Sequence, residues 1–248
     1  MKTFIKFVGL VACFLVVVTL FQETVVSTCW ASEDRVILLD CSGSVMVGPR
    51  CPFQANLDAV RKAILTTPKD SQLYVFGFGK GPPVPFLTAS TPKIAGPQGK
   101  NLKASLEAAL RVFESNLKQR RSEVNPSGTD IDGSLFRVAR IFAESGTGAN
   151  RILYIASDMQ QESEEKRVTL KKTATYHGQS RKSCSVRQSQ ESVPDLRGVK
   201  VHVFSQFSDS KGMSTKSIEQ AVQSLREYWI GYLKGAGAEV VSYKTTSY

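Results

Sequence analysis

The sequence predicts an α/β fold, a doubly wound, mostly parallel central sheet with helices on both faces. Three observations predict it. Residues 36–39 and 151–156 are short, nearly continuous apolar runs, which is how strands buried on both faces of a parallel sheet read. The first run stops at Asp40 and the second at Ser157-Asp158. Around them, strand-like stretches alternate with segments whose apolar residues recur at helical spacing, the order that builds βαβ units.

The first strand ends at Asp40, and Ser42 and Ser44 follow at alternate positions around Gly43. One carboxylate and two hydroxyls on a tight turn form a hard, oxygen-rich group suited to a small divalent cation. The carboxyl edge of a strand is also where open α/β sheets bind ligands. Such short Ser/Gly patterns also arise as turns and caps, so the motif needs partners elsewhere. Residues 45–52 make a Gly- and Pro-containing connection. A helix over 53–66 follows, with Ala55, Leu57, Val60, Ala63, Ile64 and Leu65 near helical spacing and Pro68 as its stop. Residues 72–78 read as a strand with Leu73, Val75 and Phe76 in the core, and 82–88 as a short edge strand, where proline is tolerated. After a Pro- and Gly-rich loop, Leu102, Leu106, Ala109, Leu110 and Phe113 mark a helix over 102–117. Its basic end at 118–121 complements the helix dipole.

Ser127-Gly128-Thr129-Asp130 precedes a helix over 131–144, with Thr129 or Asp130 placed to cap it. Beyond Asp158 the pattern dissolves. Residues 159–197 alternate acidic and basic clusters with few large apolar side chains, and read as a partly helical or mobile polar insertion that sets partner choice or serves as a solvated linker. Residues 199–204 alternate as a strand carrying His202 on a sheet face, with no second His or Cys at ligand spacing. Ser214 caps a last helix whose Ile218, Val222, Leu225, Tyr228, Trp229, Tyr232 and Leu233 form an apolar, aromatic stripe read as core packing. Gly235 and Gly237 end it, and 238–243 supplies a strand at a sheet edge.

The D-x-S-x-S motif at 40–44, the G-T-D loop at 128–130 and the strand-terminal Asp158, in that order and on compatible elements, resemble the von Willebrand factor A-type (vWA) domain with its metal-ion-dependent adhesion site (MIDAS). The resemblance spans residues 34–243. It implies a Rossmann-like sheet with a hairpin whose edge strand runs antiparallel. It also implies a metal site made of Asp40, Ser42, Ser44, Thr129 and Asp158, binding Mg²⁺, or Mn²⁺ or Ca²⁺ in its place. The three hydroxyls would be neutral ligands and the two carboxylates charged ones. That leaves the cation's charge under-compensated, so an open position attracts an Asp or Glu of a partner protein. The expected function is metal-dependent protein–protein interaction rather than catalysis. Two alternatives remain. In a structural part of a bacterial envelope, secretion or conjugation assembly, the metal would only staple loops together. A metal-dependent hydrolase is the other, since a strand-end Asp40 superficially matches the aspartate of haloacid-dehalogenase-type enzymes. The second aspartate expected there two residues on is Ser42, which removes the acid/base.

The 248 residues, 42% hydrophobic, suffice for one good core, expected over 32–248. Residues 1–31 stand apart. Lys2 and Lys6 lead into an apolar stretch at 7–21, shorter than the about 20 residues a spanning helix needs, and small and polar residues follow. That reads as a secretory signal peptide or, uncleaved, an N-terminal membrane anchor. Either places the domain in a bacterial periplasm, cell envelope or exterior. Asn125, the one Asn-x-Ser/Thr acceptor, is blocked by Pro126, in keeping with a non-glycosylating route. Cys41 reads as a small buried apolar residue, while Cys51 and Cys184 are candidates to pair in an oxidising compartment. The formal charge is +10, of which Lys2, Lys6 and Glu23 account for +1. Such a balance favours acidic partners or phospholipid headgroups. No recognised motif argues for nucleic acid.

Overall fold

In the computed structural model, which describes residues 32–46, 52–93, 100–145, 150–162, 167–168, 193–207 and 214–247, the first apolar run is the centre of strand β1 (Glu33–Asp40). Val36, Ile37, Leu38 and Leu39 are all fully buried. They alternate between two cores: Val36 and Leu38 join one face of the sheet, Ile37 and Leu39 the other. The two-residue period of a strand dictates this split, and it explains why the run shows no polar alternation. Each such side chain contributes about 1.5–3 kcal/mol by leaving water.

The remaining strands are β2 (Gln72–Phe78), β3 (Val84–Ser90), β4 (Asn150–Ser157), β5 (Gln161–Glu162), β6 (Arg167–Val168), β7 (Val199–Phe207) and β8 (Glu239–Ser247). Six of them form a sheet in the order β3-β2-β1-β4-β7-β8. All neighbours run parallel except β3, which is antiparallel on β2. β5 and β6 make a separate small antiparallel pair. Helices are α1 (Gly43–Met46), α2 (Phe53–Leu65), α3 (Lys100–Arg120), α4 (Ile131–Glu144) and α5 (Thr215–Gly235). On one face, α2 and α3 bring Phe53, Leu57, Val60, Phe113 and Leu117 to Ile37 and Leu39. On the other, α4 and α5 bring Leu135, Val138, Leu225 and Trp229 to Val36 and Leu38. The fold is the doubly wound α/β architecture expected, antiparallel edge strand included. The strand order reverses between β1 and β4, the switch point where such sheets open a crevice.

Several local expectations hold. Asp130 caps α4 by accepting the Gly133 N–H at 3.0 Å, and Ser214 caps α5 through the Ser217 N–H at 3.3 Å. The basic end of α3 is local stabilisation: Arg120 pairs with Glu123 and donates to the Pro85 carbonyl, and Arg121 lies over the Phe53 ring. His202 stacks on Tyr154 with ring centroids 4.8 Å apart, and its Nδ1 lies 3.0 Å from Ser242 Oγ. Cys41 is buried, and burial, then the neighbouring Asp40, pushes its thiol up to about 12.

Others are corrected. The edge strand starts two residues later than 82, since Pro82 and Pro83 belong to the turn before it. Leu65 is 45% exposed while Asn56, a polar residue on the same helix, is fully buried. The insertion does not begin as helix or solvated chain. Met159 and Gln161 are fully buried, and Gln161 opens the β5–β6 pair. Residues 1–31, Cys51, Cys184 and residues 163–166 and 169–192 of the insertion lie outside the described residues. Among the described residues no helix is long and apolar enough to cross a membrane.

Candidate metal centre

Parallel pairing sets Leu39 opposite Ala156, so β1 and β4 end side by side with Asp40 next to Ser157. Asp40 is fully buried. One of its oxygens accepts the Ser42 N–H at 2.8 Å, and the other accepts the Ser157 hydroxyl at 2.5 Å. The first bond turns the chain sharply after the strand, as Asp does when it bonds backbone two residues on. Ser42 Oγ then lies 3.1 Å from Ser44 Oγ. The Ser44 hydroxyl hydrogen-bonds to Asp158, which also accepts the backbone N–H of Gln160 at 2.9 Å and its side-chain amide at 3.0 Å. Four of the five residues named from the sequence thus form one hydrogen-bonded chain. Asp40, Ser42 and Asp158 are buried while Ser44 is exposed, so the group faces solvent at Ser44.

Thr129 reaches the same edge by its backbone. Gly43 N–H donates to the Pro126 carbonyl at 2.8 Å, Lys80 N–H to Asn125 at 2.9 Å, and Asp130 N–H to Gly79 at 2.9 Å. The close approach needs glycine at 79, where a Cβ would stand 2.2 Å from the Asn125 oxygen. Thr129 itself is 3% exposed. Among the described residues, no side-chain hydrogen bond joins it to the other four.

Burial, and then the Asp158 carboxylate beside it, raises the Asp40 carboxyl well above the ordinary carboxylate range, against hydrogen bonds from Ser157 and Ser42 that favour its charged form. Burial likewise raises Asp158, against bonds from Gln160 and Ser44. Two adjacent buried carboxylates are costly unless a cation balances them. Among the described residues no three His, Cys, Asp or Glu side chains gather as a metal cluster. The donor set here is instead two carboxylates with hydroxyls, all oxygen, which fits a hard cation such as Mg²⁺.

Residues not singled out from the sequence complete the site. Ser157 links Asp40 to the Met159 N–H, which it accepts at 2.9 Å. Met159 adopts a left-handed backbone, φ +59°, rare for a residue with a side chain. Its carbonyl accepts the Trp229 indole N–H at 2.7 Å. The Ser-Asp pair ending β4 was visible in the sequence, but nothing local pointed to Trp229.

Ser157 is also the start of a polar row across the sheet. It pairs with Ser205 on β7, which pairs with Thr245 on β8. Among the described residues, the oxygens of Ser205, Thr245 and nearby Tyr243 are buried without a hydrogen-bond partner. Burial raises the Tyr243 phenol, and Ser205 opposes that rise, so the two hydroxyls are close without meeting hydrogen-bond geometry.

No family model and no curated protein matches the sequence. Solved structures do. One is the conserved hypothetical protein BatB from Bacteroides thetaiotaomicron, at 14% identity and TM-score 0.45, covering 86% of this chain and 91% of that one. Another is the SpRpn10 VWA domain, at 8% identity and TM-score 0.39, covering 86% and 88%. A third is proximal thread matrix protein 1 from the mussel byssus with a zinc-occupied MIDAS motif, at 15% identity and TM-score 0.40, covering 84% of this chain and 48% of that one. Likenesses this distant bear on neither the ligands nor the partners of the present chain.

Proposed function

We propose that residues 32–248 form an exported vWA-type binding domain that holds a divalent cation at Asp40, Ser42, Ser44, Thr129 and Asp158. Through that cation it recognises an Asp or Glu of a partner protein. The observation that carries this reading is the pair of buried carboxylates, lined by hydroxyls and facing solvent at Ser44. Mg²⁺ is the expected occupant, with Mn²⁺ or Ca²⁺ as substitutes. When bound it supplies a Lewis-acidic point for an incoming carboxylate.

The chain's own residues do the rest. Asp40 and Asp158 supply the negative charge, fixed in orientation by Ser42, Ser157 and Gln160. Ser42, Ser44 and Thr129 supply neutral oxygens, which leave positive charge for the partner. The chain's formal charge of +10 adds a general attraction for acidic proteins. Catalysis is not part of the reading, because Ser42 stands where a phosphoryl-transfer site would need a second carboxylate.

Calorimetric titration of the full chain with Mg²⁺ and Mn²⁺ tests the site. Uptake by the wild type and its loss in Asp40→Ala are expected, and absence of uptake would remove the assignment. Pull-down from the native cell with and without chelator then separates recognition from scaffolding. Partner loss on chelation, with the fold intact by circular dichroism, supports recognition, whereas unchanged binding supports a metal that only staples loops.

A further inference from the structure

Gln161 lies three residues beyond Asp158, in a stretch that reads as the start of a polar insertion, yet it is fully buried. Its Oε1 accepts the N–H of Ile131 at 2.7 Å and of Asp132 at 3.3 Å, and its Nε2 donates to Asp130 Oδ1 at 3.3 Å. Ile131 and Asp132 open α4, and the first N–H groups of a helix have no partner within it. Asp130, the local cap, serves Gly133 instead. The helix start therefore carries two caps, one local and one delivered from about thirty positions away. A carboxamide suits the second place because it accepts two N–H groups and donates to a carboxylate at once.

The four residues 158–161 are each fastened to a different part of the site. Asp158 meets Ser44. The Met159 carbonyl meets Trp229 on α5. Gln160 returns to Asp158 through both its amides. Gln161 reaches the loop that carries Thr129. That loop is pinned before Thr129 by Gly43 on Pro126, and after it by Gly79 on Asp130 and by the Gln161 amide. Thr129 makes no side-chain bond to its four proposed companions, so its place is set by these flanking ties.

We propose that Gln161 is a positioning residue that holds the Thr129 loop and the start of α4 in register with Asp158, and so sets the cation affinity of the site. The consequence for the cation rests on the metal reading above. The tie itself does not. Removing the amide takes the side-chain acceptor from two N–H groups beneath the loop and removes one of the ties on Asp130. The Gln161 backbone is held by Val168 across the β5–β6 pair, so the amide is presented by a formed element rather than by loose chain.

The test uses the full chain and two variants. Gln161→Met keeps length but can neither accept nor donate a hydrogen bond there. Gln161→Glu keeps an acceptor for both N–H groups but sets a second carboxylate against Asp130 in place of the donated bond. Amide hydrogen exchange at Ile131 and Asp132 without metal is the first readout, and Mg²⁺ titration the second. In Gln161→Met, exchange at both amides should accelerate by about tenfold or more, and Mg²⁺ affinity should fall by about 10–100-fold. In Gln161→Glu, where an acceptor remains, both amides should exchange more slowly than in Gln161→Met. Unchanged exchange in Gln161→Met overturns the proposal, as does accelerated exchange with wild-type Mg²⁺ affinity. Should Gln161→Met not fold, the wild type decides: exchange at Ile131 and Asp132 as fast as in unstructured chain overturns the tie, and protection of both supports it. A wild type that takes up no Mg²⁺ defeats the metal reading, while exchange still decides whether Gln161 holds the loop.

Discussion

The Ser157 hydroxyl donates to Asp40 Oδ2 at 2.5 Å, joining two strand ends 117 positions apart in the chain. This bond opposes the rise that burial and Asp158 impose on Asp40. It therefore keeps the carboxylate more readily available to a cation. Ser157→Ala is expected to raise Asp40 further and weaken Mg²⁺ binding near neutral pH by about tenfold or more. Titration calorimetry checks this. Equal affinity in the variant would leave Ser157 as only a turn former beneath Met159.

The same two carboxylates set a pH dependence. Both are raised in the folded protein, so without metal the fold holds protons that the unfolded chain releases. Their contribution to stability is full below the unfolded value of about 4 and is lost as pH climbs through the raised folded values, which for Asp40 means about 7. Thermal unfolding in chelator should show the midpoint falling across that window. With saturating Mg²⁺ the fall should be reduced or reversed, because the cation binds the ionised form. A flat profile in chelator would show that burial does not raise the pair as described.

Trp229 is fully buried and its indole donates to the Met159 carbonyl. Trp229→Phe leaves that carbonyl unsatisfied and opens space, with an expected loss of about 2–4 kcal/mol by urea denaturation. Because Met159 adjoins Asp158, Mg²⁺ affinity should fall with it. A loss below about 0.5 kcal/mol would argue that the indole bond is dispensable.

The row beyond Ser157 makes the opposite prediction. Tyr243 and Thr245 bury hydroxyls without partners, and replacing an unsatisfied polar group by an apolar one of the same shape is neutral or stabilising. Tyr243→Phe and Thr245→Val should each change stability by between zero and about +1 kcal/mol, read from urea midpoints. Destabilisation by more than about 1 kcal/mol would mean that ordered water fills the row and bonds those hydroxyls.

Much of this was legible without coordinates. The run at 36–39 could be placed in the sheet interior because four consecutive apolar residues have no solvated face to alternate with, and all four are buried. The stripe of Leu225, Trp229, Tyr232 and Leu233 read as core because three- and four-residue spacing puts them on one side of a helix. Gln161 was not legible. A glutamine among charged residues looks solvated, and only the distant start of α4 supplies the donors that make its burial tolerable. Leu65 failed for the converse reason. Periodicity placed it inward, but among the described residues nothing covers that end of α2, and Leu65 is 45% exposed.

By itself the sequence determined the layered α/β plan, the order of its elements and the chemical types available at the strand ends, because each of these follows from spacing along a few consecutive residues. Tertiary structure decided which of those groups meet. Register between β1 and β4 brings Ser157 to Asp40, Gly79 admits the Thr129 loop, and a buried amide from beyond Asp158 closes the start of α4. Those contacts join residues tens of positions apart, so they depend on which strands pair and which loops close, and spacing along a few consecutive residues does not name those partners.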